Sequence, residues 1–298
     1  MQQHTGDGNR LTEPDYWDVI HRAGRASKPR APRTEYVAAP PVRQGLKRRV
    51  KTVLGGRLLE RFRNYEDFLL WDVILPRYLS QREGAKVVEI GSAPGYRLVR
   101  LKDRFGLTPY GIDYSRVGVE LNREVFAEHG IDPQNVIEAD FVASEVPDRY
   151  REAFDVVLSG GFVEHFTDVR AIVQKHLQLL KPGGCLVVQI PNLRGVNYLL
   201  ARLFCPDAIP IHNLDIMDRQ NFAALFDAPS LEPQFCGYSG TFNFYMFHTS
   251  GRSPMHFPLA VCMKLQPVLN LVFRSVFGER GAESRWLSPS LVYVGLKR

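Results

Sequence analysis

The chain has 298 residues, 45% of them hydrophobic and 23% charged, which excludes a mostly disordered protein and allows one large domain or two small ones. The net charge is +6, and the excess lies entirely within residues 1–60. Cys185, Cys205, Cys236 and Cys262 are scattered with no C-x-x-C pair, which excludes a disulfide scaffold and a cysteine zinc site and fits a reducing, cytoplasmic setting. No apolar run follows Met1, so no signal peptide is expected. The late apolar stretch 257–277 is broken by Lys264, Gln266, Pro267 and Arg274, so no transmembrane segment is expected.

Residues 1–52 read as a basic, flexible extension carrying one short helix near 16–20, rich in Pro and Ala. Such an arm suits a solvated tail; RNA, anionic lipid or an acidic partner are its alternatives. From about Val50, Leu58, Leu59, Phe62, Tyr65, Phe68, Leu69 and Val73 recur at helical steps, and Pro76 is expected to close the helix. Tyr65 and Trp71 on it are candidates to roof a site, with a core role favoured for Trp71.

Strands and helices then alternate. Strands are expected at 86–90, 109–113, 136–139, 154–159 and 185–190. Helices are expected at 96–105, from the Ser115 cap to Gly130, and from the Asp168 cap to Pro182-Gly183-Gly184. This rhythm predicts parallel βαβ units in a doubly wound α/β sheet. His176 falls on the apolar stripe of its helix and reads as a core histidine. Beyond Pro191 come helices near 198–204, 218–226 and 258–277, a strand and turn at 233–247, and a last strand at 291–296. The stretches 192–230 and 248–287 read as insertions over the sheet, where acceptor specificity would be set.

The most informative segment is 87–96, a strand running through Glu89, Gly91, Ser92, Ala93, Pro94 and Gly95 into a helix. Open α/β sheets bind ligands at such a turn. Its G-x-x-x-G spacing lacks the middle glycine of a dinucleotide loop, and no Gly-Lys-Ser/Thr follows. Eighteen residues after Gly95, Asp113 ends the second strand, where a carboxylate can accept from both hydroxyls of a ribose. Asp140-Phe141, after the third strand, offers an acceptor for an exocyclic amine beside an aromatic face. Together these features point to a nucleoside without phosphates.

Glu89-x-Gly91-x-x-x-Gly95, Asp113, Asp140-Phe141, Phe154-Asp155-x-Val157 and Leu180-Lys181-Pro182-Gly183-Gly184 resemble the landmarks of class I S-adenosylmethionine-dependent methyltransferases. The resemblance covers about residues 60–192 well and the rest loosely. It implies a Rossmann-like, mostly parallel seven-stranded sheet with helical insertions over the substrate side, and S-adenosylmethionine as cofactor. It also implies that Glu89, Gly91 and the turn 92–95 surround the methionine half. Asp113 and Tyr114 would serve the ribose and Asp140 and Phe141 the adenine, with Ser159 and Gly160 passing near the sulfonium.

Methyl transfer from a sulfonium is an in-line displacement, so alignment is the main task, and a base is needed only where the acceptor must lose a proton. Glu164 and His165, just past the fourth strand, are the candidate base and its orienter, with His212 a second candidate. No metal is expected, because Gly161 stands where small-RNA 2′-O-methyltransferases carry another glutamate. The expected activity is transfer to a small-molecule acceptor, at oxygen before nitrogen. The alternatives are an RNA or protein methyltransferase that docks through the basic arm, and a non-catalytic cofactor-binding module.

Overall fold

The computed structural model describes residues 10–13, 15–26, 61–143, 145–249 and 253–298. Its centre is a sheet of seven strands: β1 (Lys86–Ile90), β2 (Thr108–Asp113), β3 (Val136–Glu138), β4 (Phe154–Gly160), β5 (Leu180–Pro191), β6 (Leu231–Ser239) and β7 (Ser290–Lys297). The order is β3-β2-β1-β4-β5-β7-β6. The first five are parallel, and β7 runs antiparallel between β5 and β6.

The parallel strands read as unbroken apolar runs because both of their faces are covered. Alternate residues serve opposite layers. Val88, Ile90, Val157 and Leu186 pack with Ile172, Val173 and Leu177 on one side. On the other, Val87, Val156 and Val187 pack with Leu98, Leu101, Val119 and Phe126. The covering helices follow α1 (Tyr16–Ala26) in chain order: α2 (Tyr96–Phe105), α3 (Arg116–Glu128) and α4 (Val169–Leu179). Ser115 Oγ accepts the Gly118 N–H and Asp168 the Ala171 N–H, so α3 and α4 start at the expected caps. Later helices are α5 (Val196–Phe204), α6 (Arg219–Ala224) and α7 (His256–Phe277). Chain order reverses at β1, which pairs with both β2 and β4. That reversal opens a crevice at the strands' carboxyl ends.

Three expectations change. The first concerns the arm, whose described part, residues 10–26, is no solvated tail. α1 packs on α3, Leu11 N–H donates to His165 O, and Thr12 and His21 are buried. Polar contacts to distant residues fix it, so its polar composition misleads. Residues 27–60 lie outside the described residues. The second concerns Pro76. It begins a final turn, Pro76–Leu79, rather than ending the helix, because proline at a first-turn position gives up no helical hydrogen bond. Tyr65 is buried against Phe68 and Phe273 and does not roof the site, while Trp71 sits in the core under the Arg100 guanidinium, the role favoured for it.

The third concerns α7. It is continuous through Lys264, Gln266, Pro267 and Arg274, and by length and composition it could cross a membrane. Gln266 and Asn270 nevertheless bond to the body. Gln266 Nε2 donates to Phe242 O, and Asn270 Nδ2 donates to Phe62 O. These bonds lay the helix along the molecule's surface.

Candidate active site

The glycine loop leaves β1 through two residues that only glycine accommodates readily. Gly91 has φ +70° and Gly95 φ +95°. A Cβ at Gly95 would stand 2.1 Å from Asn122 Oδ1, and one at Gly91 2.9 Å from the Phe162 ring. Asn122 Nδ2 also donates to Ser92 Oγ at 2.7 Å, tying the loop to α3. Asp113 Oδ2 accepts the Ala93 N–H at 3.0 Å and Oδ1 the Ser115 N–H at 2.9 Å. One carboxylate therefore fixes the loops after β1 and β2 together. Each oxygen has a second lone pair for a ligand hydroxyl. Burial raises the Asp113 pKa, against backbone hydrogen bonds from Ala93, Ser115 and Tyr114 and the neighbouring His21.

Glu89 and Ser159 stand at the ends of β1 and β4, both buried. Burial pushes the Glu89 carboxyl up to about 7, opposed by the Arg97 guanidinium. Arg97 Nη1 donates to Glu89 Oε1 and lies over Gly160, where a Cβ would meet it at 2.2 Å. Glu89 Oε2 and Ser159 Oγ have no hydrogen-bond partner among the described residues. Two orphaned acceptors at the mouth of the parallel strands fit the cationic amine of an amino-acid ligand, so the residues present suit the methionine half of S-adenosylmethionine.

The expected adenine side is covered by the arm. Asp140 Oδ1 accepts the Val142 N–H and the Arg10 guanidinium, both within 2.9 Å. Arg10 in turn lies over the Tyr114 and Phe166 rings. Burial pushes the Tyr114 phenol up to about 12. Phe141 turns into the core, edge-on to Phe162 and His176, and shows no free face. On α1, Asp18 Oδ1 accepts from Ser115 Oγ. His21 sits against Gly118, its pKa lowered by burial against the pull of Asp113 and Asp18.

Past Gly160 the chain makes a short turn, Val163–His165. Glu164 and His165 are both buried there, and the structure brings His212 beside them, the two imidazoles 4.6 Å apart. His165 Nδ1 lies 2.7 Å from Ile211 O and His212 Nδ1 2.6 Å from Ala208 O. A carbonyl only accepts, so each Nδ1 carries the proton and a neutral ring keeps its lone pair on Nε2. His165 Nε2 is 4.0 Å from Glu164 Oε1. The ligating atoms of all three lie within 4.8 Å of one another. That spacing suits proton handling and could also hold a metal ion. Trp17 of α1 meets His165 edge-on at 5.3 Å.

Beside this trio is a cleft beyond the end of β5, lined by Glu66, Leu193, Ala208, His212, Met246 and His248. Its walls are mostly apolar. Glu66 is buried, and its Oε2 accepts from Asn243 Nδ2 at 2.8 Å. Burial pushes its carboxyl up to about 7. Sequence reading missed Glu66, which looks like an ordinary first-turn acid. It also missed Arg10, Trp17, His21 and Arg97, whose partners lie far along the chain or, for Arg97, across the glycine loop. A basic residue one position into α2, opposite Glu89, was the one available signal for Arg97.

Comparison with known proteins bears on the family and the fold. A family model described as a methyltransferase domain matches residues 60–235. The ubiquinone biosynthesis O-methyltransferase of Chelativorans sp. is 31% identical over 117 residues, 39% of this chain and 44% of that protein. Its namesake from Salmonella arizonae is 29% identical over 128 residues, 42% of this chain and 51% of that protein. The chain thus spans about half the length of the curated relatives it matches. Among solved structures, geranyl diphosphate C-methyltransferase from Streptomyces coelicolor superposes with a TM-score of 0.54 at 15% identity, over 96% of this chain and 99% of that one. That likeness is one of fold.

Proposed function

The chain belongs to the methyltransferase-domain family and is an S-adenosylmethionine-dependent methyltransferase; from that premise we propose that its acceptor is a small molecule methylated at oxygen. The observation that carries this reading is the buried His165–His212 pair past β4, next to a small cleft beyond β5 that has His212 and the Glu66 carboxyl in its wall. The cleft's mostly apolar walls and the neighbouring imidazole suit the hydroxyl-bearing end of a largely apolar acceptor, and its volume of about 30 Å³ requires the walls to part for entry. The two O-methyltransferase relatives support oxygen as the accepting atom.

S-adenosylmethionine supplies an electrophilic methyl already bonded to its leaving sulfur. The protein's work is to hold and align. Asp113 takes the ribose hydroxyls, Asp140 the adenine amine, and Glu89 with Ser159 the amino-acid end. His165 Nε2 accepts the acceptor's hydroxyl proton, with Nδ1 held in its tautomer by Ile211 O. Glu164 stabilises the imidazolium that results. The covering arm and the buried turn exclude water from the transfer. RNA docking by the arm is the weaker reading, because Arg10, Asp18 and His21 are already engaged with the body.

The test is incubation with methyl-labelled cofactor and fractionated cell extract. Label in the small-molecule fraction, in a product stable to mild acid as an ether is, supports the proposal. Label confined to RNA or protein would overturn it.

A further inference from the structure

Arg97 stands where helix physics disfavours a cation. It is the second residue of α2, and no acid shares that first turn. A positive charge there opposes the positive N-terminal end of the helix dipole. Its contacts lie instead across the glycine loop. Arg97 Nη1 donates to Glu89 Oε1, and to Gly160 O at 3.4 Å. The guanidinium lies against Gly160, where a Cβ would stand 2.8 Å from Cζ and 2.9 Å from Nη2. Gly160 does not have the positive φ that would itself require glycine, so the missing side chain is what admits the cation.

Charge complementarity adds a second observation. The side chains of Glu89 and Arg97 are 4% and 18% exposed, so solvent screens the pair little. They set opposite charges side by side at the carboxyl ends of β1 and β4. Glu89 Oε2 and Ser159 Oγ, which have no hydrogen-bond partner among the described residues, suit a cationic amine. An α-amino acid carries its carboxylate on the same carbon as that amine. A ligand held at Glu89 by its ammonium therefore brings its carboxylate close by, and Arg97 is the cation in contact with Glu89. Its planar fork has five N–H donors, more than Glu89 and Gly160 use, and matches the geometry of a carboxylate.

We propose that Arg97 binds the carboxylate of the methionine half of S-adenosylmethionine, so that Glu89 and Arg97 together read the zwitterion, one charge each. The proposal rests on the placing of Glu89 and Ser159 at the amino-acid end. Neither charged contact takes part in bond making. Both anchor the cofactor at the end remote from the nucleoside, which fixes the sulfonium for in-line transfer. Arg97 is then more than the counter-ion of Glu89. A counter-ion matters alike to every ligand that Glu89 holds, whereas a carboxylate-binding residue matters only to ligands that carry a carboxylate.

The experiment is calorimetry of the full-length protein with three ligands. S-adenosylhomocysteine carries the amine and the carboxylate, its decarboxylated analogue only the amine, and methylthioadenosine neither. Wild type is expected to bind S-adenosylhomocysteine about 10-fold or more tighter than the decarboxylated analogue, the effect of a charge-assisted pair. Arg97→Gln should erase that preference by weakening S-adenosylhomocysteine alone. Arg97→Lys, which keeps the charge without the fork, should retain part of it. Methylthioadenosine should bind Arg97→Gln as it binds wild type, which establishes that the variant is folded. A wild type that does not distinguish the first two ligands would overturn the proposal. So would an Arg97→Gln variant in which both weaken equally, which would return Arg97 to the role of counter-ion. Wild-type preference for the decarboxylated analogue over methylthioadenosine reads the ammonium contact separately. If that preference stands while Arg97→Gln keeps the carboxylate preference, Arg97 alone is excluded and the amino-acid end stays with Glu89 and Ser159. If it is missing, that placing falls and the proposal with it.

Discussion

His165 and Glu164 are neighbours in sequence, but the third member of their cluster arrives from the insertion after β5. Both imidazoles are fixed by a carbonyl on Nδ1, so neither is free to choose its tautomer. This prepares His165 Nε2 to receive a proton. His165→Ala is expected to lower turnover about 10²–10⁴-fold, the range for a positioned base, with S-adenosylhomocysteine affinity nearly unchanged. Only the neutral ring accepts a proton, so the rate–pH profiles of wild type and His165→Ala should differ. A rate–pH profile of both proteins tests this; a mutant with the wild-type profile and near-normal rate would leave His165 a structural residue. Asp113 makes a different prediction. Its carboxylate holds two loop N–H groups besides its expected ribose contacts. Asp113→Ala should cost about 1–3 kcal/mol for each polar partner left unmade. Calorimetry with S-adenosylhomocysteine on a variant whose circular dichroism is native decides it, and unchanged affinity would remove Asp113 from the site.

At the scale of elements, α1 is the part of the fold that most changes the reading of the site. It bonds α3 through Asp18 and Ser115, sends Trp17 to His165, and is preceded by Arg10 on Asp140. One segment thus spans the expected ribose, adenine and methyl-transfer positions. Cofactor reaching Asp113 and Asp140 must pass beneath it. Deleting residues 1–26 is therefore expected to speed S-adenosylhomocysteine release by about 10-fold or more, and to lower the thermal midpoint by a few degrees, the effect of about 1 kcal/mol. Stopped-flow displacement and a thermal melt measure the two. Release at the wild-type rate would mean that the arm rests on the site without gating it.

Across the whole molecule, what the sequence revealed tracks how local the deciding interactions are. The turn 91–95, the Ser115 and Asp168 caps and the buried apolar strands rest on short-range rules, and the structure places them where those rules predict. The pairing of β7 between β5 and β6 depends on contacts across more than 50 residues, and the sequence alone left it open. The docked arm depends on Arg10 meeting Asp140, 130 positions away, and its dilute polar composition reads as a tail. The union of His212 with His165 is equally long-range. The apolar stripe of α7 misleads for another reason: Phe257, Leu265, Val268 and Val276 are exposed, and periodicity identifies an apolar face without saying that it faces the core.

Stability against pH is a property of the whole chain, because several buried groups titrate together. Glu66 and Glu89 are both raised by burial from 4.5 to about 7. The folded state therefore binds more protons than the unfolded state between those values, and stability falls as pH rises through that window. His176 opposes this: burial lowers it from 6.5 to about 4, so the unfolded state binds the extra proton there and stability rises with pH. His21, also lowered, acts in the same sense as His176. The wild-type curve is thus a partial cancellation, whereas the difference between Glu66→Gln and wild type isolates one carboxyl. Glutamine can keep the hydrogen bond to Asn243 without the buried charge. Relative to wild type, Glu66→Gln should gain stability from pH 4.5 upward and level off above about 7. The gain should reach about 3 kcal/mol, since each tenfold change in proton affinity is worth about 1.4 kcal/mol. Urea denaturation of both proteins at several pH values from about 4 to about 8, a range that brackets the titration, measures it. A difference that does not change with pH would mean that Glu66 carries an ordinary carboxylate pKa, and the cleft beside His212 would then hold a permanent negative charge at neutral pH.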